Sequence, residues 1–181
     1  MAGAARELEA ELQARLRSVR LVVLDVDGVL TDGRVVHTGA GEVQVFDVRD
    51  GLGVKLLQRE GVTVAWISGR GCPATQMRAA ELGVRELYLR SGPKGEALAA
   101  LQARLGVGPE ETVAMGDDLP DLGLAARAGL FAAPADAHPD VLARAHLVCS
   151  ARGGRGAVRE LAEAILRARG AWQRALDDHA R

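Results

Sequence analysis

Short apolar runs alternate with helix-like segments along most of the chain, and that rhythm leaves few folds open. The runs are LVVLD (21–25), VTVAWI (62–67), residues 85–89, TVAM (112–115), LFAA (130–133) and HLVC (146–149). They are short, rich in β-branched residues, and apolar without the alternation of a half-exposed strand, so they suit strands buried on both faces. Helical patterning fills the gaps at 52–60, 73–82, 93–105, 119–128, 139–145 and 156–169. An amphipathic segment at 4–17 precedes them, with Leu8, Leu12 and Leu16 at i, i+4 and i+8. The βαβα order predicts an α/β fold: a doubly wound, Rossmann-like three-layer α/β/α arrangement around a mostly parallel sheet. One stretch breaks the rhythm. RVVH (34–37) and EVQVF (42–46) flank the turn TGAG (38–41), which predicts a β-hairpin inserted over 34–46. No repeat, low-complexity tract or linker interrupts the chain, so residues 1–181 are expected to form one domain, with a C-terminal helix and tail over 156–181.

Composition narrows the function classes. Hydrophobic residues make up 48% and charged residues 26%, which argues against disorder. The net charge of −1 supplies no basic field for a polyanion, and five aromatics, none clustered on a basic face, offer no stacking platform. Nucleic acid is therefore not an expected partner. Cys72 and Cys149 have neither metal-site nor disulfide-framework spacing. The first 20 residues carry charge throughout and contain no apolar core of a secretory signal. No apolar run reaches the ~18 residues of a membrane span. These features predict a cytoplasmic enzyme or binding protein, not a membrane protein.

In a doubly wound sheet, ligands bind beyond the carboxyl ends of the strands. The first run exits into DVDGVLTDG (25–33), the second into ISGR (67–70), and the fourth into GDDLPD (116–121). Eight of the twelve aspartates lie within 25–50 or 117–121. A lone aspartate at a strand exit is often a turn residue or helix cap, but two clusters ending two strands point to a site. Asp25 and Asp27, two residues apart, would face the same side. Carboxylates held that close need a cation, and oxygen ligands without a histidine or cysteine cluster favour Mg²⁺. The histidines at 37, 138, 146 and 179 are scattered. Such a carboxylate pair suits phosphoryl transfer, one aspartate attacking phosphorus and the other moving protons. Gly28 permits a sharp turn beside it. Ser68 could bond a phosphate oxygen. Lys94, one of only two lysines against 21 arginines, follows Pro93 at a predicted helix start. The helix dipole disfavours a cation there, so its position points to a nearby anion.

From about residue 19 to 169 the chain resembles the haloacid dehalogenase-like superfamily of aspartyl-phosphate phosphatases, through DxDGVLTDG, Ser68, Lys94 and GDDxxD together. The resemblance implies Asp25 as nucleophile and Asp27 as general acid/base. It implies Mg²⁺ held by the Asp25 and Asp117 carboxylates and the Asp27 main-chain carbonyl, Ser68 and Lys94 on the phosphoryl group, and Asp118 and Asp121 behind the metal. Within that superfamily the chain is most similar to the 3-deoxy-D-manno-octulosonate 8-phosphate phosphatase subfamily. The hairpin, FDVRDGLGVK (46–55), ISGR, PADAHPDVLARA and GGRGAVRE carry this closer likeness. It implies a capless member, a homotetramer whose hairpins form a central barrel and whose neighbouring subunits cap each site. It also implies a phosphorylated sugar-acid substrate contacted by Asp27, Asp47, Val48, Arg49, Asp50, Gly51, Lys55, Arg70, Arg78 and Lys94. Two segments depart from the subfamily's usual pattern: Asp47 stands where asparagine is common, and residues 88–93 read YLRSGP. Both bear on the sugar rather than on phosphoryl chemistry. A nine-carbon sugar-acid phosphate or broader small phosphoesters are the alternative substrates, and a non-catalytic binding module is the alternative class.

GGRGAVRE (153–160) lacks a phosphate-loop pattern and is expected to be a flexible lead into the last helix; the resemblance implies that such a tail can reach a neighbouring site. Arg152, Arg155 and Arg159 are expected on a solvated or subunit-contact surface. Trp172 and residues 173–181 are expected to form a frayed end.

Overall fold

The computed structural model describes residues 2–39 and 41–180. Met1, Ala40, Arg181 and the side chains of residues 2–8, Leu8 among them, lie outside the described residues. Six parallel strands form one sheet: β1 (Leu21–Leu24), β4 (Thr63–Ile67), β5 (Glu86–Tyr88), β6 (Thr112–Met115), β7 (Leu130–Ala133) and β8 (Leu147–Val148), in spatial order β5-β4-β1-β6-β7-β8. The strand order reverses at β1, so its carboxyl end opens into the switch-point crevice.

Alternation along β1 divides the core in two. Val22 and Leu24 pack beneath α1 (Ala2–Ser18), α2 (Val48–Arg59), α3 (Pro73–Leu82) and α7 (Ala157–Ala168). Leu21 and Val23 face α4 (Lys94–Leu105), α5 (Leu122–Ala125) and α6 (Pro139–Leu142) on the other side. All four β1 residues are fully buried, as the continuous apolar run requires. This is the three-layer architecture the sequence rhythm predicts. Among the described residues no helix is long and apolar enough to cross a membrane.

Several expectations need adjustment. The hairpin pairs only over β2 (Val36–Thr38) and β3 (Gly41–Val43), because a lone two-stranded ribbon gains little from further pairing. Helix α2 starts at Val48 rather than 52, since Asp47 caps it by accepting a hydrogen bond from the Arg49 N–H at 2.7 Å. Over 119–128 the chain forms only a 3-10 turn (Leu119–Asp121) and the short α5. The expected frayed end is instead helix α8 (Trp172–His179). It packs on Leu52 and Leu56 of α2, with the Arg159 and Arg167 guanidinium groups 5.3 and 4.9 Å from the Trp172 ring centre.

The GGRG segment is not a flexible lead. The Gly153 N–H donates to Asp136 Oδ1 at 3.0 Å and the Gly154 N–H to the Val29 carbonyl at 2.8 Å. A Cβ on Gly153 would lie 1.7 Å from the Gly28 carbonyl oxygen. The segment is locked against the loop that follows β1. Arg155 lies 3.6 Å from Asp32 in that loop, while Arg152 is exposed.

Candidate active site

Backbone bonds set the site before any side chain enters it. The Asp25 N–H donates to the Met115 carbonyl, which aligns the exits of β1 and β6. The loop after Asp25 turns back through Gly28 (φ +101°), where a Cβ would stand 2.1 Å from Asp117 Oδ2, so the position admits no side chain. Buried Thr31 ties the loop together, its Oγ1 accepting from the Gly28 and Gly33 N–H groups.

Around this frame the strand exits converge on a cavity of about 320 Å³ lined by Asp25, Asp27, Ser68, Arg70, Lys94, Asp117, Asp118 and Asp121, with Gly33, Gly69 and Pro120. Lys94 Nζ sits 2.5 Å from Asp25 Oδ1 and 2.6 Å from Asp121 Oδ1. Burial pulls the Lys94 pKa down, but the two carboxylates outweigh it and leave the ammonium above its ordinary value. Pro93 occupies the cap position and Lys94 the first helical one. Its carboxylate partners therefore offset the unfavourable helix dipole.

Burial pushes Asp25 up to about 8, reinforced by Asp121 and opposed by Lys94. Burial likewise raises Asp117 to about 7, with Asp121 and Asp118 adding to it. Asp25, Asp117 and Asp121 bring carboxylate oxygens within 4.8 Å of one another. Asp117 Oδ1 is buried and has no hydrogen-bond partner. A donor set of hard oxygens with an orphaned acceptor and too little positive charge fits a divalent cation such as Mg²⁺. Asp121 already uses both oxygens, Oδ1 on Lys94 and Oδ2 on the Asp117 and Asp118 N–H groups. That suits a residue fixing the loop behind the ion. Asp118 caps the same turn through the Leu119 N–H.

Asp27 points its carboxylate away from that cluster. Its Oδ2 accepts from Ser68 Oγ at 3.3 Å and lies 3.8 Å from Arg70 Nε. Its Oδ1 accepts from Gln44 Nε2 at 2.9 Å. Arg70 also pairs with Glu42 at 2.6 Å.

The remaining expected contacts do not line the cavity. Asp47 pairs with Arg49 at 2.6 Å, and the Arg49 guanidinium also reaches the Arg155 carbonyl. Val48 and Lys55 are exposed. Arg78 packs under Gly51 and reaches the Asp47 carbonyl. Asp50, 1% exposed, spends its carboxylate on the Gly156 and Arg159 N–H groups and thereby caps α7. Within this chain its side chain serves the fold. Gln44, Thr75, Glu42 and Thr31 are site-region residues that motif reading missed. The visible signal was the alternation of Glu42 and Gln44 with Val43 and Val45.

A cavity at the switch point of a parallel sheet, with Asp25 of an Asp-x-Asp exit on a buried lysine and an acidic loop beside it, is the arrangement of the haloacid dehalogenase-like hydrolases. A family model described as haloacid dehalogenase-like hydrolase matches residues 75–161, which include Lys94 and Asp117–Asp121. The chain is 40% identical over 164 residues to the 3-deoxy-D-manno-octulosonate 8-phosphate phosphatase KdsC of Escherichia coli, covering 90% of this chain and 87% of that protein. A solved structure of the Yersinia pestis phosphatase of the same name superposes with a TM-score of 0.88 at 40% identity, covering 90% of this chain and 89% of that one. The Moraxella catarrhalis phosphatase, solved with magnesium ion, phosphate ion and a KDO molecule, superposes with a TM-score of 0.91 at 32% identity, covering 93% and 98%. The chain belongs to the 3-deoxy-D-manno-octulosonate 8-phosphate phosphatase family.

Proposed function

We propose that the chain is an Mg²⁺-dependent phosphatase that hydrolyses 3-deoxy-D-manno-octulosonate 8-phosphate to the free sugar acid and phosphate, a step in lipopolysaccharide precursor synthesis. The observation that carries this reading is the division of labour between two carboxylates on one strand exit. Asp25 lies buried against Lys94 among the metal-competent oxygens, and Asp27 faces a hydroxyl and an amide instead.

Asp25 is the nucleophile. Its carboxylate oxygen bonds to phosphorus as the bond from phosphorus to the sugar oxygen breaks. Asp27 gives that leaving oxygen its proton. In the second half Asp27 takes a proton from water, the water oxygen bonds to phosphorus, and the bond to Asp25 breaks. Ser68 and Lys94 hold the transferring phosphoryl oxygens. Lys94 also compensates the charge on Asp25. Asp25, Asp117 and the Asp27 main-chain carbonyl would hold Mg²⁺, with Asp118 and Asp121 behind it, and the bound ion would neutralise charge on the phosphoryl group.

The sugar contacts are Arg70 inside the cavity and, further out, Asp47, Val48, Arg49, Gly51, Lys55 and Arg78, with Asp50 holding the start of α7 instead. The family resemblance adds a homotetramer whose neighbouring subunit caps each site, and that arrangement would bring these outer residues, which do not line this chain's own cavity, to the substrate. The outward valines of the hairpin, Val35, Val36, Val43 and Val45, are 41–72% exposed and supply an apolar face for such packing. Cytoplasmic residence belongs to the same reading and is supported by two free, buried cysteines.

Phosphate release from the eight-carbon substrate should require Mg²⁺ and vanish in a folded Asp25→Asn variant. Full turnover by that variant would overturn the mechanism. In a panel with a nine-carbon acid phosphate and simple phosphoesters, kcat/KM should favour the eight-carbon substrate by more than about tenfold. A smaller ratio would support a broader phosphatase.

A further inference from the structure

The hairpin sends polar residues inward. Along its second arm, Glu42, Gln44 and Phe46 turn toward the body while Val43 and Val45 face out. This reverses the usual pattern of a half-buried strand. Gln44 is the residue that reaches the reacting groups. Its Nε2 donates to Asp27 Oδ1 at 2.9 Å, and its Oε1 accepts from Thr75 Oγ1 at 2.6 Å. Thr75 is 2% exposed in the first turn of α3, so this anchor is rigid.

The carboxyl Oδ1 of Asp27 accepts from the NH₂ end of Gln44, and the carbonyl end accepts from the threonine hydroxyl, so both ends of the amide are used. We propose that Gln44 is the positioning residue for Asp27, locking the carboxyl group's rotation so that Oδ2, beside Ser68 and Arg70, is the oxygen that carries the transferred proton. Oδ1 is engaged by the amide, whereas Oδ2 has a weaker partner in Ser68 Oγ at 3.3 Å, itself a cavity residue. A carboxyl group free to rotate would present its proton to the leaving oxygen only part of the time, and proton transfer needs hydrogen-bond reach. The hairpin is then a working part of the site. This inference rests on the assignment of Asp27 as acid and base.

The test separates proton donation from everything else by leaving group. The sugar alkoxide of the eight-carbon substrate needs Asp27's proton to depart, whereas p-nitrophenolate leaves as a stable anion. Gln44→Met keeps length and loses both hydrogen bonds. It should slow first-turnover release of the sugar by about ten- to a hundredfold while first-turnover release of p-nitrophenol changes by less than about threefold, with KM for both nearly constant. Thr75→Val should shift the same ratio in the same direction, and Thr75→Ser, which keeps the hydroxyl, should recover most of that loss. Thermal melting of each variant checks the fold, and Thr75→Val stands in if Gln44→Met does not fold. Equal loss on both substrates, or none on the sugar phosphate, overturns the proposal. A wild-type protein that cleaves neither ester with Mg²⁺ would instead remove the assignment of Asp27, and this inference with it.

Discussion

Among the described residues, the ammonium of Lys94 is the cation that reaches between Asp25 and Asp121, at 2.5 and 2.6 Å, with 8% of the residue exposed. Two buried carboxylates facing one buried ammonium form a group that tolerates the loss of its centre poorly. Lys94→Met should abolish turnover. It should also cost on the order of 3–5 kcal/mol of folding stability at about pH 8, as removing one partner of a buried ion pair does. The loss should shrink as pH falls, because Asp25, already pushed up by burial, takes a proton in place of the ammonium. Lys94→Arg should not restore activity. Gly95 next to it is pressed against the Gly123 carbonyl, a Cβ there lying 2.7 Å away, so α4 has no room to draw back for a guanidinium. Phosphate-release assays and urea titrations at two pH values check all three outcomes. Lys94, Asp25, Ser68 and Asp117 were legible because strand exits and a helix start fix their positions within short motifs. Gln44 and Thr75 were not. Their meeting depends on which face of a hairpin turns inward, and the valines between the polar residues point hydrophobic reasoning the wrong way.

The elements of the core followed from the sequence because each buried strand is a continuous apolar run, and six such runs met the sheet nearly as drawn. The connecting segments were harder to read, since what orders them is contact with distant chain. GGRG looks like a flexible lead by composition, yet its glycines are there to let two backbones touch. At Gly153 an added Cβ would fall 1.7 Å from the Gly28 carbonyl oxygen and 3.2 Å from that of Thr31. Both obstacles are backbone, so no side-chain rotation relieves the clash. Gly153→Ala should therefore displace the peptide next to Asp27. The expected result is lower stability by about 1–3 kcal/mol and a drop in kcat larger than any change in KM. A variant with an unchanged melting temperature and unchanged kcat would show that the loop yields without consequence. The start of α2 carries the same lesson. Asp50 lies in a segment that reads as substrate-facing, and the packing of α7 against α2 gives its carboxylate the Gly156 and Arg159 N–H groups instead.

For the molecule as a whole, the acidic cluster sets how stability responds to pH and metal together. Without a cation, burial holds Asp25 at about 8 and Asp117 at about 7, whereas both titrate near 3.8 when unfolded. Between those limits the native state binds more protons than the unfolded chain, so stability falls as pH rises through about 4 to 8. Below the unfolded value this penalty is absent. Lys94, held above its ordinary 10.5, keeps its charge across the window and adds no slope of its own. Mg²⁺ takes the place of those protons and should oppose the trend. The rise in melting temperature on adding Mg²⁺ should be small near pH 5 and grow toward pH 8. At a hundredfold excess over Kd the stabilisation there should approach about 2.7 kcal/mol. Calorimetry in two buffers of different ionisation enthalpy should register net proton release on Mg²⁺ binding near neutral pH, diminishing above pH 8 as the free site ionises by itself. A metal effect on melting that stays flat from pH 5 to 8, with no proton release, would mean that the cluster is already ionised and compensated by the chain alone.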